Sequence, residues 1–143
     1  MYAAVRFLTI LCAVHQVFSN EERNYWGDPI SVECIEEVHF DKTILPTVMD
    51  KDFYIVSTDP SVFELFRCMF EKLKMVQDGK FVKDEIVRYV EKGPVRFLKP
   101  NADNPNKIAL EAYEGCKSLE GDGIGQQAVN MRNCIIREIY KYK

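Results

Sequence analysis

Apolar residues recur three and four positions apart along most of this chain, the signature of one-sided helices. The first stripe is Ile30, Cys34, Ile35 and Val38, opened by Asp28 as N-cap and Pro29 at the first helical position. A third helix starts the same way, with Asp59 and Pro60, and carries Val62, Leu65, Phe66, Met69, Leu73 and Val76 before "QDGK" stops it at Gly79. Val82, Ile86, Tyr89 and Val90 mark a fourth helix that Gly93 and Pro94 end. A fifth is predicted from about Lys107 to Leu119, with Ile108, Ala112, Tyr113 and Cys116 along it. A sixth, over 125–141, carries Ala128, Met131, Ile135 and Ile139. Between the first and third helices, residues 41–58 predict one short helix and a loop. "YIV" at 54–56 reads there as a strand fragment with no visible partner. The pattern predicts an all-α domain of six helices.

The N-terminus breaks this pattern. Arg6 precedes the apolar run "FLTILCAV", and Val17 and Ser19 stand at −3 and −1 of a cut before Asn20. That is the layout of a secretory signal peptide over 1–19, and its apolar run is too short to span a bilayer. The expected mature chain, 20–143, is then one domain with no membrane anchor, released to extracellular fluid. Cleavage removes Cys12 and His15 and leaves four cysteines: Cys34, Cys68, Cys116 and Cys134. It removes one basic residue, Arg6, and none of the 22 acidic ones, so the net charge moves from −3 to −4. With no basic block, nucleic acid is not an expected partner.

The chemistry-bearing residues are few. The mature chain has one histidine, His39, and no Cys-x-x-Cys pair, so no metal site and no cofactor are expected. Carboxylates such as Glu36–Glu37 and Asp84–Glu85 are adjacent, about 100° apart on a helix, and read as solvated faces. No catalytic residue is assigned. An even number of cysteines in a short secreted chain points to two disulfides. Three pairings are open. Cys34–Cys68 with Cys116–Cys134 asks only neighbouring segments to meet. The wide apolar faces fit either a filled core or a shell around a cavity, for which Met69, Met75 and Met131 are adaptable wall material and the tyrosines offer polar handles.

The segment "CMFEKLKMVQDGKF" at 68–81, with Cys34, Cys116 and Cys134, resembles the insect odorant-binding and pheromone-binding proteins over essentially all of 20–143. Six-cysteine members carry Cys-x3-Cys in the third helix and Cys-x8-Cys entering the last. Here Glu64 and Gly125 stand where those relatives keep the two halves of one bridge. The chain is thus similar to the four-cysteine "Minus-C" branch. Its 47 residues between Cys68 and Cys116 are long for the family, the excess falling in "GPVRFLKPNADNPN".

The resemblance implies a compact disulfide-stapled domain around an internal apolar cavity, with bridges Cys34–Cys68 and Cys116–Cys134. It implies a non-catalytic carrier of small hydrophobic ligands such as odorants, pheromones, lipids or hormones. Helical phase then assigns the cavity wall to Phe66, Met69, Leu73, Ile86, Tyr89, Tyr113, Met131, Ile135 and Tyr140. Loss of the bridge between positions 64 and 125 implies a looser junction of the third and last helices and a more deformable pocket. A membrane receptor or a second copy of the chain are the candidate protein partners. The alternative reading is a secreted helical signalling protein of cytokine type, or an effector of saliva or haemolymph. The breaks at Pro60, Gly79, Gly93 and Gly121 argue against the long helices a cytokine needs.

Overall fold

The computed structural model describes residues 26–118 and 120–143; the expected signal peptide over 1–19 lies outside them. Contacts divide the chain into two units, Met1–Glu33 and Cys34–Lys143. In the first, Asp28 caps helix α1 (Pro29–Glu37) as the sequence suggests. Its carboxylate accepts the backbone N–H of Ile30 at 3.1 Å and of Ser31 at 3.0 Å, and the Ser31 hydroxyl as well.

The second unit begins inside α1 and is all-α apart from two short β pairings. A 3-10 turn (Lys42–Ile44) leads into the single-turn helix α2 (Leu45–Val48). Helix α3 (Pro60–Lys72) is capped by Asp59, which accepts Ser61 N at 2.8 Å, and opened by Pro60. Helix α4 (Lys83–Val90), α5 (Pro105–Cys116) and α6 (Ile124–Lys141) follow. The described residues thus carry the six expected helices, and α6 is the hub: it packs on both α3 and α5, and α5 in turn packs on α4.

Helices α1 and α3 end in the same way. His39 (φ 52°) and Lys74 (φ 61°) adopt the left-handed conformation just past each helix. The next residue reaches back across the last turn, Phe40 N to Ile35 O and Met75 N to Phe70 O, both at 2.9 Å. This double-bonded helix stop usually takes glycine. Here burial of Phe40 and Met75, 5% and 1% exposed, stabilises it without one. His39 therefore has a backbone role on the surface.

Two boundaries correct the sequence reading. Helix α3 does not run on to Gly79; it stops at Lys72, and β1 (Val76–Gln77) pairs antiparallel with β2 (Lys80–Phe81). Asp78 and Gly79 both have positive φ, 51° and 71°, the two-residue turn that Asp-Gly favours between strands. Phe81 sits edge-on to Phe70 at 6.2 Å and ties the hairpin to α3. Nor does α4 end at Gly93–Pro94. A π turn (Glu91–Val95) absorbs the proline and a further helical turn (Arg96–Leu98) follows. Pro94 has no N–H to give, and the wider π turn accommodates that loss while burying Val95 completely.

Both expected disulfides are present. Cys34–Cys68 joins α1 to α3 across 34 positions, and Cys116–Cys134 joins α5 to α6 across 18.

Candidate functional site

The interior of the second unit is built from one face of each main helix. From α3 come Val62, Leu65, Phe66 and Met69; from α4, Ile86, Val87 and Val90. Ile108, Ala109 and Ala112 come from α5, and Ala128, Met131, Ile135 and Ile139 from α6. Among the described residues no buried side-chain nitrogen or oxygen lacks a hydrogen-bond partner. The faces that meet are thus apolar, with Met69, Met75 and Met131 as their most adaptable side chains. Such a lining favours ligands with few polar groups, because a buried polar group with no partner costs roughly 1–3 kcal/mol.

Of the nine residues assigned to a cavity wall, Phe66, Met69, Ile86, Met131 and Ile135 are buried. Leu73 and Tyr113 are half-buried. Tyr89 and Tyr140 are more exposed, at 38% and 40%. Leu73 and Tyr89 meet outside, in a shallow pocket of about 340 Å³ with Glu85, Arg88, Lys92 and Gly93. Tyr113 lies under the Lys83 ammonium, 5.8 Å from the ring centre. The Tyr140 hydroxyl donates to the Asp52 carbonyl at 3.3 Å. Loss of water around that hydroxyl, then the Asp52 carboxylate, raises its pKa above the usual phenol value.

Tyr140 belongs to a set that sequence reasoning missed. Asn133 holds Ile55 with both ends of its amide: Oδ1 accepts Ile55 N–H and Nδ2 donates to Ile55 O, each at 2.8 Å. A strand would satisfy Ile55 in the same way. Arg132 donates to Phe53 O at 2.5 Å. The segment it grips is a small closed loop. Met49 and Ile55 form an antiparallel bridge, Asp50 accepts the N–H groups of Asp52 and Tyr54, and Phe53 has φ 66°. So "YIV" does find a strand partner, in Met49 and in the Asn133 amide. "MRNC" on a helix carries no sign that its polar residues grip a main chain 78 positions away, so no sequence signal existed for this.

Gly125 marks the other special contact of α6. A Cβ built there would lie 2.2 Å from the Phe63 carbonyl oxygen, far inside contact distance. Only glycine lets α6 approach α3 so closely. Glu64, the position expected to face it, is exposed and pairs with Arg67 at 2.8 Å.

The rest of the titratable chemistry is on the surface. All four described cysteines are consumed in disulfides, and no group of three His, Cys, Asp or Glu residues among the described residues could hold a metal ion. Glu114 sits between Lys117 (2.7 Å) and Lys83 (2.6 Å), and their hydrogen bonds, that of Lys117 first, hold its pKa down to about 2. The same contact raises Lys83. No described helix is long and apolar enough to cross a membrane.

The domain is helical and stapled by two disulfides, with apolar faces meeting around one hub helix. A family model of the PBP/GOBP family, the insect pheromone-binding and general odorant-binding proteins, matches residues 20–138. The chain belongs to that family, whose members are binding proteins for small hydrophobic ligands. No curated protein and no solved structure matches it.

Proposed function

We propose that the protein is a secreted, non-catalytic carrier of small hydrophobic molecules, of the four-cysteine branch of its family. The observation that carries this reading is the composition of the meeting faces of α3, α4, α5 and α6. They are aliphatic and aromatic, with Met69 and Met131 among them, and among the described residues they bury no unsatisfied side-chain polar atom. A ligand would lie against Phe66, Met69, Ile86, Met131 and Ile135, with Leu73 and Tyr113 at the margin. Tyr89 and Tyr140 would contribute only if the surface around them rearranged. The four-cysteine assignment rests on the two bridges and on Gly125 and Glu64 at the positions of the missing one. Cys12 would leave with residues 1–19.

Displacement of a fluorescent apolar probe, N-phenyl-1-naphthylamine, by a panel of alkanes, terpenes and esters tests the carrier reading. Binding with roughly micromolar affinity is the expected result, about −8 kcal/mol. No uptake of the probe would reject the reading. The intact mass of protein recovered from its secreting tissue tests the processing: a chain starting at Asn20 with four oxidised cysteines is expected.

A further inference from the structure

We propose a second ligand site, outside the helical interior, for a small amphiphile with one anionic head. It is a cavity of about 660 Å³, open to solvent on one side, between the 98–104 linker, the start of α5 and residues 142–143. That volume lies within the range of small-molecule sites. The linker "LKPNADNP" builds it. Ala102 N–H returns to Lys99 O at 3.0 Å, folding the chain into a turn, and Asn104 caps α5 by accepting Lys107 N–H at 3.1 Å. Ala102, the smallest side chain in the turn, leaves the space open.

The lining has two characters. Leu98, Ile108 and Tyr142 supply an apolar side. Lys99, Lys107 and Lys143 supply three ammonium groups against one carboxylate side chain, Asp103. Lys99 and Lys143 hold no ion pair among the described residues, and Lys107 reaches Glu111 only at 3.9 Å. The first turn of α5 carries no acidic residue, so the positive end of its dipole adds to the three lysines. In a protein of net charge −3 this concentration of positive charge is local and selects for an anion. Head and body are both needed. Exposed lysines alone hold an anion weakly, and an open apolar wall alone holds an alkyl chain weakly. The site does not depend on the carrier reading: of its lining only Ile108 belongs to an interior face, and none of the residues placed against the carried ligand is used.

The test is an amide chemical-shift titration of the oxidised protein with sodium octanoate, 1-octanol and inorganic phosphate. Octanoate is expected to shift the amides of residues 99–108 and 142–143. Octanol is expected to leave them in place, and phosphate to move them at least ten-fold more weakly. The triple variant K99Q/K107Q/K143Q should weaken octanoate at these amides by roughly ten-fold, and added salt should weaken it in the wild type. Ala102→Glu, on the exposed linker, should abolish it without touching a lysine. Octanoate shifts elsewhere but not at these amides, equal shifts with octanol, or indifference to both variants would each overturn the proposal.

Discussion

Helix α6 holds its two neighbours by opposite means. Near its start it meets α3 with no side chain at all: Gly125 lies against the Phe63 carbonyl. Two turns later it holds the 49–55 loop with long polar side chains, Arg132 and Asn133, bonded to main-chain atoms. The first contact is steric and excludes any larger residue. The second is a hydrogen-bond graft that gives a loop the pairing it would otherwise lack. A third means, the Cys116–Cys134 bridge, ties α6 to α5 from the residue after Asn133. The comparison shows how a helix with one disulfide can still be fixed on several sides.

The bridges set the scale. Replacing Cys116 and Cys134 together by serine should cost about 3 kcal/mol, and Cys34 with Cys68 about 4 kcal/mol because that loop is longer. Urea unfolding curves of the two double variants check both the size and the order. If both variants kept wild-type midpoints, α6 would be held chiefly by packing and by the Gly125 and Asn133 contacts.

Gly125→Ala gives the sharper test of the steric contact, because two effects oppose each other. In an ordinary helix interior alanine is better than glycine by about 1 kcal/mol. Here its Cβ would be pressed into the Phe63 carbonyl, a backbone atom that cannot swing aside as a side chain would. Overpacking costs about 1–3 kcal/mol, so a net loss of up to about 2 kcal/mol is expected. A gain in stability on thermal unfolding would show that α3 and α6 stand further apart. The same contact bears on the proposed looseness of the junction: where relatives keep a bridge, this chain brings the two backbones together. Slow hydrogen exchange of the amides near Gly125 would exclude the looser junction, and fast exchange would support it.

How much of this was legible beforehand depends on the kind of force. The helices were, since burial of one face imprints a period on the sequence, and so were the starts at Asp28 and Asp59, where cap and proline announce themselves. Four cysteines make two bridges readable but leave three pairings open, and the pairing observed is the one the family resemblance implies. The ends were misjudged where an unusual residue took a glycine role. Lys74 stops α3 in the left-handed conformation, and the helical phase of Val76 concealed the hairpin that Asp78 and Gly79 make. Pro94 reads as a terminator because its missing N–H is visible in the sequence, while the burial of Val95 in the same π turn is not. Among the assigned wall residues, Phe66, Met69, Ile86, Met131 and Ile135 lie inside, Leu73 and Tyr113 are half-buried, and Tyr89 and Tyr140 keep over a third of their surface in water. A phenol can satisfy either face of a helix, so periodicity alone places it poorly.

Asn133→Ala should cost about 1–2 kcal/mol, since it leaves the Ile55 N–H and carbonyl without their partner. The Ile55 amide should exchange much faster, while amides in α3 should speed up only in step with the loss of global stability. Asn133→Asp separates the two bonds. It keeps the acceptor for Ile55 N–H but sets a carboxylate oxygen against the Ile55 carbonyl, so it should be no better than alanine. Were aspartate to restore protection, one bond rather than the paired amide would be holding the loop.

The smallest expected effect is electrostatic and lies far from both contacts. Glu114 has its pKa lowered from 4.5 to about 2 by Lys117 and Lys83, so the folded state binds its proton less readily than the unfolded chain. Its contribution is complete above pH 4.5 and is lost as the pH falls toward 2, so stability should decline through that window. Both partners are exposed surface lysines, and solvent and salt screen the pairs, so the slope should be shallow and shrink further at high ionic strength. Glu114→Gln should flatten the curve of unfolding midpoint against pH between 4.5 and 2, while Gly125→Ala and Asn133→Ala should lower that curve uniformly. If Glu114→Gln left the acid limb unchanged, the Lys83–Glu114 link between α4 and α5 would be a contact without energetic weight. The two helices would then be joined by their apolar faces and by Lys83 over the Tyr113 ring, an arrangement in which α4 yields more easily to a ligand.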